Sequence, residues 1–294
     1  MRILVSGATG FIGGHLCPAL AVAGHEVSAL VRPQADTSRL QAAGVTIHPC
    51  AGPDAVAQIV AGLQPDGIVH LATHFVAQHG PDDLAALVGA NLHLGLALLD
   101  SAAANSVPWL IDTGTFWQHH GGRDYCPTNL YAATKQAFGD LARYYHETGP
   151  TAIVTLELND TYGLRDERGK LLSVLLDVAR SGDRLAMSPG EQLLDILHVD
   201  DVVAAFALLV DLVSRDPQGQ RGRRYFISSG DRITLREFAE LVAQTVGRKL
   251  DIDWGGRPYR GREVMRPTPG GDPLPGWAPK MSLAAGIREI WAED

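Results

Sequence analysis

The stretch Arg2-Ile3-Leu4-Val5-Ser6, followed directly by Gly7-Ala8-Thr9-Gly10-Phe11-Ile12-Gly13, decides the fold of this chain. An apolar run that passes into G-x-x-G-x-x-G and then into a helix-forming segment is typical of a strand, a phosphate-binding turn and a helix. The glycines allow a tight turn, close approach of the backbone to a pyrophosphate, and close helix–strand packing. The pattern predicts a dinucleotide site where the first helix begins.

Further apolar runs follow up to about residue 160 and alternate with segments of helical length; they cover residues 27–31, 45–47, 68–71, 109–111 and 153–158. Runs that are continuously apolar indicate strands buried on both faces, as in a parallel sheet covered by helices. Residues 11–23, 82–104 and 127–147 are predicted as helices. The predicted fold is α/β, a Rossmann-type doubly wound parallel sheet with a smaller C-terminal substrate lobe.

The character of the sequence changes after about residue 163, where charged loops and a Gly/Pro-rich tail at 255–279 appear. We predict that residues 1–165, rejoined by about 196–229, form the dinucleotide-binding domain. Residues 166–195 and 230–294 are predicted to form the substrate-binding lobe, folded over the carboxyl edge of the sheet, where α/β proteins bind ligands.

Composition excludes several classes of protein. The 294 residues are 46% hydrophobic and 20% charged, which suits one large globular domain or one with a smaller lobe. A formal net charge of −8 without a polybasic stretch argues against nucleic-acid and anionic-membrane partners. The apolar residues 202–210 are about half the length of a membrane span, and the N-terminus lacks a signal-peptide pattern. We expect a soluble, cytoplasmic protein.

The second apolar run ends in Ala29-Leu30-Val31-Arg32. At this point of a dinucleotide-binding fold, an acidic residue binds the ribose hydroxyls of NAD, whereas an arginine accepts the 2′-phosphate of NADP. Arg32 is present and no carboxylate is, so NADP(H) is favoured. NAD(H) stays the alternative, since an arginine at a strand end can also be simply solvated.

Tyr131 and Lys135 are four residues apart on a predicted helix and therefore share one face. A nearby ammonium stabilises a phenolate, so this spacing predicts a Tyr131 pKa lowered from about 10 toward working pH. Such a tyrosine exchanges a proton with a substrate oxygen. The alternative is an exposed tyrosine stacked on a lysine stem.

These motifs make the chain similar, over essentially its whole length, to the extended short-chain dehydrogenases/reductases, which include nucleotide-sugar epimerases, dehydratases and reductases. Besides the glycine turn and the Tyr131/Lys135 pair, the matching segments are His70-Leu71-Ala72, Asn91, Tyr162-Gly163 and His198-Val199-Asp200-Asp201-Val202. The resemblance implies that Thr113 hydrogen-bonds the reacting oxygen, that Tyr131 is the acid/base and that Lys135 also holds the nicotinamide ribose. For Thr113 the alternative is a hydroxyl that caps the strand end.

The cofactor contacts expected on this basis, together with Arg32, are Gly7, Thr9, Gly10, Phe11, Ile12, Gly13, Leu71, Ala72, Asn91, Tyr131 and Lys135. Leu194 stands where relatives often carry an arginine for the substrate diphosphate, so other cations must replace that charge, unless they are solvated loop residues. The expected substrate contacts are His74, Thr115, Asn159, Asp160, Lys170, Arg260 and Arg262. No metal site is expected, because no histidine spacing matches a ligand motif.

The resemblance also bears on the reaction. Dehydratases of the family carry an Asp-Glu pair after the catalytic Thr, and Gly114-Thr115 occupies those positions here, which disfavours elimination of water. The segments around Thr113, Tyr131 and Asn159 are most similar to bacterial reductases of nucleotide-linked 4-keto-6-deoxyhexoses, such as CDP-abequose and CDP-paratose synthases. We therefore expect NADPH-dependent reduction of a keto group on a nucleotide-diphosphate sugar, with Tyr131 as proton donor.

Two alternatives stay open. The first is an NAD-dependent nucleotide-sugar epimerase, which needs the same Thr/Tyr/Lys set. The second is a non-catalytic dinucleotide-binding sensor, against which the intact Tyr131/Lys135 pair argues. The family resemblance further implies a homodimer, formed through the helices at 82–104 and 127–147.

Overall fold

The computed structural model describes residues 1–293. In chain order its strands are β1 (Arg2–Ser6), β2 (Glu26–Val31), β3 (Thr46–Pro49), β4 (Gly67–His70), β5 (Trp109–Thr115), β6 (Ala152–Leu158), β7 (Asp160–Tyr162), β8 (Leu185–Met187), β9 (Leu193–Leu194), β10 (Ile196–His198), β11 (Arg224–Phe226), β12 (Ile233–Thr234), β13 (Ile252–Trp254) and β14 (Asp272–Pro273). The six strands predicted up to residue 160 are present as β1 to β6.

The helices are α1 (Phe11–Val22), α2 (Ser38–Ala42), α3 (Pro53–Leu63), α4 (Asp83–Val88), α5 (Leu94–Ala104), α6 (Leu130–Thr148), α7 (Leu171–Ser181), α8 (Val199–Arg215), α9 (Pro217–Gln220), α10 (Leu235–Val246) and α11 (Leu283–Glu293). One π-helical turn, Gly89–His93, joins α4 to α5. The helix predicted from residue 127 begins at Leu130, because the Asn129 side chain accepts a hydrogen bond from the Ala132 amide and caps it.

Eight strands form one parallel sheet in the order β14-β11-β6-β5-β4-β1-β2-β3. This confirms the doubly wound fold: the chain turns one way from β1 to β3 and the other way from β4 outward. The order reverses between β1 and β4, and ligands of such sheets bind beyond the carboxyl ends of the strands at this point. The sheet thus places the glycine turn at the expected crevice.

Helices cover both faces of this sheet. On one face, α1 and α8 pack against the strands through fully buried side chains such as Leu16 and Phe206. On the other face, α3, α5 and α6 contribute a second cluster that includes Leu98 and Phe138. Burial on both faces explains why the strands read as continuous apolar runs.

A third hydrophobic cluster belongs to the smaller lobe. It joins α7, α10 and α11 through Leu175, Phe238 and Ile287 and lies with three two-stranded sheets, which pair β7 with β10, β8 with β13, and β9 with β12. The structure places Asp272–Pro273 in the large sheet, where β14 pairs with β11, although the predicted lobe contains all of 230–294. Leu274, which follows, is buried in the core of the large sheet.

The helical segment Asp83–Ala104 contains 22 residues, and its most apolar 18-residue window has a mean hydropathy of 1.5 and is one-third buried. Within residues 1–293 this segment alone is long and apolar enough to cross a membrane. It is longer than the apolar residues 202–210, whose length alone predicts no membrane span. A core helix of a soluble protein has the same properties, and Leu87, Leu98 and Leu99 of this segment are fully buried against the protein.

Candidate active site

The glycine turn between β1 and α1 is closed too tightly for side chains. A Cβ atom on Gly7, whose φ is 72°, would lie 2.5 Å from the Ala72 amide nitrogen, and one on Gly13 would lie 2.3 Å from the Gly7 carbonyl oxygen. Helix α1 begins after Gly10 without a side-chain cap, so its first backbone N–H groups keep the donors that a phosphate accepts. The turn therefore fits a dinucleotide, as predicted.

Two arginines lie on the β2 side of this turn. Arg32 follows the last residue of β2 and is exposed. Arg39, in α2, brings its guanidinium to within 4.0 Å of the position that a Cβ on Gly14 would take. Neither arginine has an ion-pair partner within residues 1–293. The sequence pattern did not single out Arg39, because only the fold returns α2 to the glycine turn.

Tyr131 and Lys135 lie one turn apart on α6, and both are buried. Burial raises the pKa of the Tyr131 hydroxyl, and a hydrogen bond with the Thr73 side chain opposes this shift. The expectation that Lys135 brings the Tyr131 pKa below its ordinary value is therefore wrong for the protein alone, because loss of solvation is the dominant influence. Lys135 instead lies beside Asp112 of β5, with 4.0 Å between Nζ and Oδ1.

The two threonines at the end of β5 have different surroundings. The Thr113 hydroxyl donates to the His70 carbonyl oxygen over 3.1 Å and is only half-buried, at the carboxyl ends of β4 and β5. The Thr115 hydroxyl is buried and accepts a hydrogen bond from the Trp117 amide, which caps the short 3₁₀ helix Phe116–Gln118. Thr113 therefore keeps a partly exposed side chain at the carboxyl edge of the sheet, whereas Thr115 caps the backbone.

Asn91 holds the loop that follows β4. Its side-chain oxygen accepts hydrogen bonds from the Thr73 hydroxyl and the His74 amide, and its amino group donates to the His74 carbonyl and the Thr134 hydroxyl. The loop begins with Leu71 and Ala72, which pack against the glycine turn. Asn91 thus makes four hydrogen bonds with three residues of the chain, and it holds the loop that borders the predicted cofactor crevice.

A cavity of about 890 Å³ lies between the sheet and the smaller lobe. Of the residues predicted to contact substrate, Asn159, Asp160, Lys170 and Arg260 line it. The structure does not bring the other three there: Thr115 is a cap, the His74 side chain pairs with Asp83 at 3.5 Å, and Arg262 donates to the Pro127 carbonyl oxygen.

The ring of Phe75 belongs both to the wall of this cavity and to the packing of the buried tyrosine. Phe75 lines the cavity, and its ring packs edge-to-face on Tyr131 with 5.0 Å between centroids. Trp117 also lines the cavity, with 5.4 Å between its ring centroid and that of Phe75. The Lys170 ammonium lies 3.7 Å from the centre of the Phe75 ring and 3.8 Å from an Asp160 carboxylate oxygen. Burial lowers the pKa of Lys170, and Asp160 opposes this shift.

Arg168 also lines the cavity, and the sequence pattern did not identify it as a site residue. Its guanidinium lies 4.0 Å over the ring of Phe11, in the glycine turn, and is held by Asp166 and the Thr161 carbonyl oxygen. A position in a charged loop gives no signal of such a role; the contact with Phe11 depends on the loop folding back over α1.

Comparisons with known proteins agree with this arrangement. The model of the NAD dependent epimerase/dehydratase family matches residues 3–227. CDP-abequose synthase of Salmonella typhimurium is 28% identical over 297 residues, covering 98% of this chain and 96% of that protein. CDP-abequose synthase of Yersinia pseudotuberculosis is 27% identical over 268 residues, with coverages of 91% and 92%.

Among solved structures, UDP-glucose 4-epimerase of Thermus thermophilus in complex with NAD superposes with a TM-score of 0.84, at 22% identity and with 99% of each chain covered. This likeness shows the same fold. The family match covers the glycine turn and the Tyr131/Lys135 pair, the features on which the resemblance rests, and the chain therefore belongs to the NAD dependent epimerase/dehydratase family.

Proposed function

We propose that this protein uses NADPH to reduce the keto group of a nucleotide-linked 4-keto-6-deoxyhexose, with Tyr131 as the proton donor. One observation carries the proposal. The buried Tyr131 packs against Phe75, and Phe75 forms part of the wall of a cavity that also contains the cations Arg168, Lys170 and Arg260. A proton donor and a site for an anionic ligand are thus adjacent.

The cofactor site is assigned to the crevice at the glycine turn. The uncapped start of α1 would hold the diphosphate, and Arg32 and Arg39 would hold a 2′-phosphate, because guanidinium groups bind phosphate through paired donors. Lys135 and Tyr131 would hold the nicotinamide ribose. When bound, the reduced cofactor supplies the hydride. The two unpaired arginines support NADPH over NADH.

The residues of the chain supply the proton and stabilise the charge. Because burial raises the Tyr131 pKa, its hydroxyl is protonated at neutral pH and gives its proton to the ketone oxygen. The Thr113 hydroxyl gives up its hydrogen bond to the His70 carbonyl oxygen and donates to the ketone oxygen of the substrate instead. The Lys135 ammonium stabilises the phenolate that is left.

The cavity suits a nucleotide-linked deoxysugar. Arg168, Lys170 and Arg260 offer positive charge for a diphosphate, in place of the arginine missing at Leu194. The rings of Phe75 and Trp117 offer an apolar wall for the methyl group of a 6-deoxy sugar. Gly114 and Thr115 carry no carboxylate, which supports reduction rather than elimination of water.

The test is to incubate the protein with NADPH and 4-keto-6-deoxyhexoses linked to CDP, dTDP, GDP or UDP. Loss of NADPH absorbance with one of them, together with a 4-hydroxy product identified by NMR, is the expected result. No consumption with any of the four would contradict the proposal. Interconversion of C4 epimers without net NADPH consumption would identify an epimerase instead.

We also propose that the protein is a homodimer. Leu84 and Val88 of α4 and Tyr144 of α6 are large apolar residues exposed by 47%, 53% and 62%, on the two helices expected at the interface. Exposed apolar residues on neighbouring helices mark an association surface. Sedimentation analysis is expected to give twice the chain mass of 31.5 kDa, and Val88→Lys is expected to reduce it toward one chain.

A further inference from the structure

A second cavity, which we call the rear cavity, has a volume of about 430 Å³ and lies between α6 and the strands β5, β6 and β11. Asp112, Lys135 and Thr155 line its inner part. Arg143 and Glu147 line its outer part with side chains that are 74% and 54% exposed. A polar cavity of this size that reaches such exposed residues is wide enough to admit water toward Lys135.

Asp112 and Lys135 meet at the inner end of the rear cavity. Their side chains are only 3% and 4% exposed, and Nζ lies 4.0 Å from Oδ1, which has no hydrogen-bond partner within residues 1–293. A buried carboxylate oxygen without a direct partner is costly unless a charge or water compensates it. The geometry lets the Lys135 ammonium supply this charge, at the inner end of the rear cavity.

The other charged groups around this pair are already compensated or neutral. Glu157 of β6 bonds to Arg224 of β11, to His119 and to the Gly270 amide. His70 of β4 faces Lys135 from the neighbouring strand, and burial with the Lys135 charge lowers its pKa to about 3, so it carries no charge at neutral pH. Among the described residues, Asp112 is thus the carboxylate that faces Lys135.

We propose that Asp112 is a positioning residue of the reaction: its carboxylate, at the inner end of the rear cavity, holds Lys135 charged and in place one helical turn from Tyr131. This inference rests on the proposed function, in which Lys135 stabilises the Tyr131 phenolate. Burial lowers the pKa of Lys135 and raises the pKa of Asp112, and the charge of each partner opposes the shift of the other. The negative charge of Asp112 also raises the pKa of Tyr131. Removing the Asp112 charge is therefore expected to lower the pKa of both Lys135 and Tyr131.

The primary experiment measures Lys135 without any turnover. The chain has four lysines, Lys135, Lys170, Lys249 and Lys280, so carbon-13 NMR of labelled lysines resolves each titration, and Lys135→Met assigns the signal. Asp112→Asn is expected to lower the Lys135 pKa by about one pH unit or more, the usual effect of losing a carboxylate at this distance. Asp140→Asn, an exposed change on α6 beside the same cavity, is the matched control and is expected to leave the Lys135 titration in place.

The second measurement is the pH dependence of NADPH-linked reduction. Reduction needs Tyr131 protonated and Lys135 charged, so the alkaline limb of kcat/KM is expected to move to lower pH in Asp112→Asn and to return toward its original position in Asp112→Glu. An unchanged Lys135 titration in Asp112→Asn, or equal shifts in Asp112→Asn and Asp140→Asn, overturns the inference.

If Asp112→Asn does not fold, the Lys135 titration in the unaltered protein still tests the coupling to Asp112. Protonation of Asp112 is expected to add an acidic inflection to the Lys135 signal, and a single alkaline inflection overturns the coupling. A different result would contradict the proposed function, namely no NADPH consumption with the keto sugars. That result would not alter the NMR titration, so the two failures can be distinguished.

Discussion

The Ser6 side-chain oxygen lies 2.6 Å from Nδ1 of His70, and this buried hydrogen bond joins β1 to β4, the two strands between which the sheet order reverses. Through its backbone carbonyl, His70 also accepts the Thr113 hydroxyl. Two hydrogen bonds through His70 therefore connect the strand that enters the glycine turn with the strand that carries the proposed catalytic threonine. These hydrogen bonds fix the position of the proposed catalytic threonine relative to the cofactor crevice.

His70 makes the stability of the protein depend on pH in a defined direction. Its pKa of about 3 in the folded protein is below the ordinary value of 6.5, so between these values the unfolded chain binds a proton that the folded chain does not. The contribution is complete above pH 6.5 and is lost as pH falls, by about 1.4 kcal/mol per pH unit. Chemical denaturation at pH 6, 5 and 4 is expected to approach this slope, and His70→Gln is expected to lower the slope by that amount. Equal slopes in the two proteins would contradict it.

Tyr131→Phe removes the proposed proton donor and leaves the ring packed on Phe75. We expect kcat for ketone reduction to fall by about 100- to 10,000-fold, the usual range for loss of a general acid, while NADPH binding is retained. Tyr144→Phe on the exposed side of the same helix is the control and is expected to keep normal turnover. Comparable loss in both variants would show that the tyrosine hydroxyl is not the donor.

Arg32→Ala and Arg39→Ala test the choice of cofactor. Each guanidinium is expected to contribute a charge-assisted hydrogen bond to the 2′-phosphate, worth about 1.5–3 kcal/mol, so each variant is expected to bind NADPH roughly 10- to 100-fold more weakly. NADH lacks this phosphate and serves as the internal control, with an unchanged Kd. Fluorescence titration measures both; an equal loss of NADH and NADPH affinity would refute the assignment.

Lys170→Met tests the cationic wall of the substrate cavity. The methionine keeps most of the apolar contact with Phe75 but removes the charge offered to the diphosphate. We expect KM for the nucleotide sugar to rise roughly tenfold or more, with the Kd for NADPH unchanged. Lys249→Met, at an exposed position, is the matched control. If KM stays constant, the diphosphate is bound elsewhere.

Gly13→Ala tests the packing of the glycine turn. The added Cβ would lie 2.3 Å from the Gly7 carbonyl oxygen and 2.6 Å from Ala8 Cα, both backbone atoms, so the turn must open. We expect the free energy of unfolding to fall by about 1–3 kcal/mol and NADPH binding to weaken. Gly62→Ala, at an exposed helical site with no atom within 4 Å of the new Cβ, is expected to stabilise by about 0.5–1 kcal/mol. Urea denaturation of both variants gives the comparison.

The amino-acid sequence alone determined the strand–turn–helix that opens the chain, the six strands up to Leu158 and the shared face of Tyr131 and Lys135. These features depend on residues close together in the chain, whose conformational preferences and apolar spacing are visible without a structure. For the same reason the family resemblance, which rests on short motifs, was visible in the sequence.

The tertiary structure decided which side chains surround the site and how their pKa values shift, because both depend on contacts between distant segments of the chain. Only packing shows that Arg39 returns to the glycine turn, that Arg168 covers Phe11, and that His74 and Arg262 are held outside the large cavity. The spacing of Tyr131 and Lys135 predicted their proximity correctly, but the lowered Tyr131 pKa that it predicted is wrong for the protein alone. The pKa shifts of both residues depend on burial and on Asp112, which lies on a different strand and meets Lys135 only when α6 packs on the sheet.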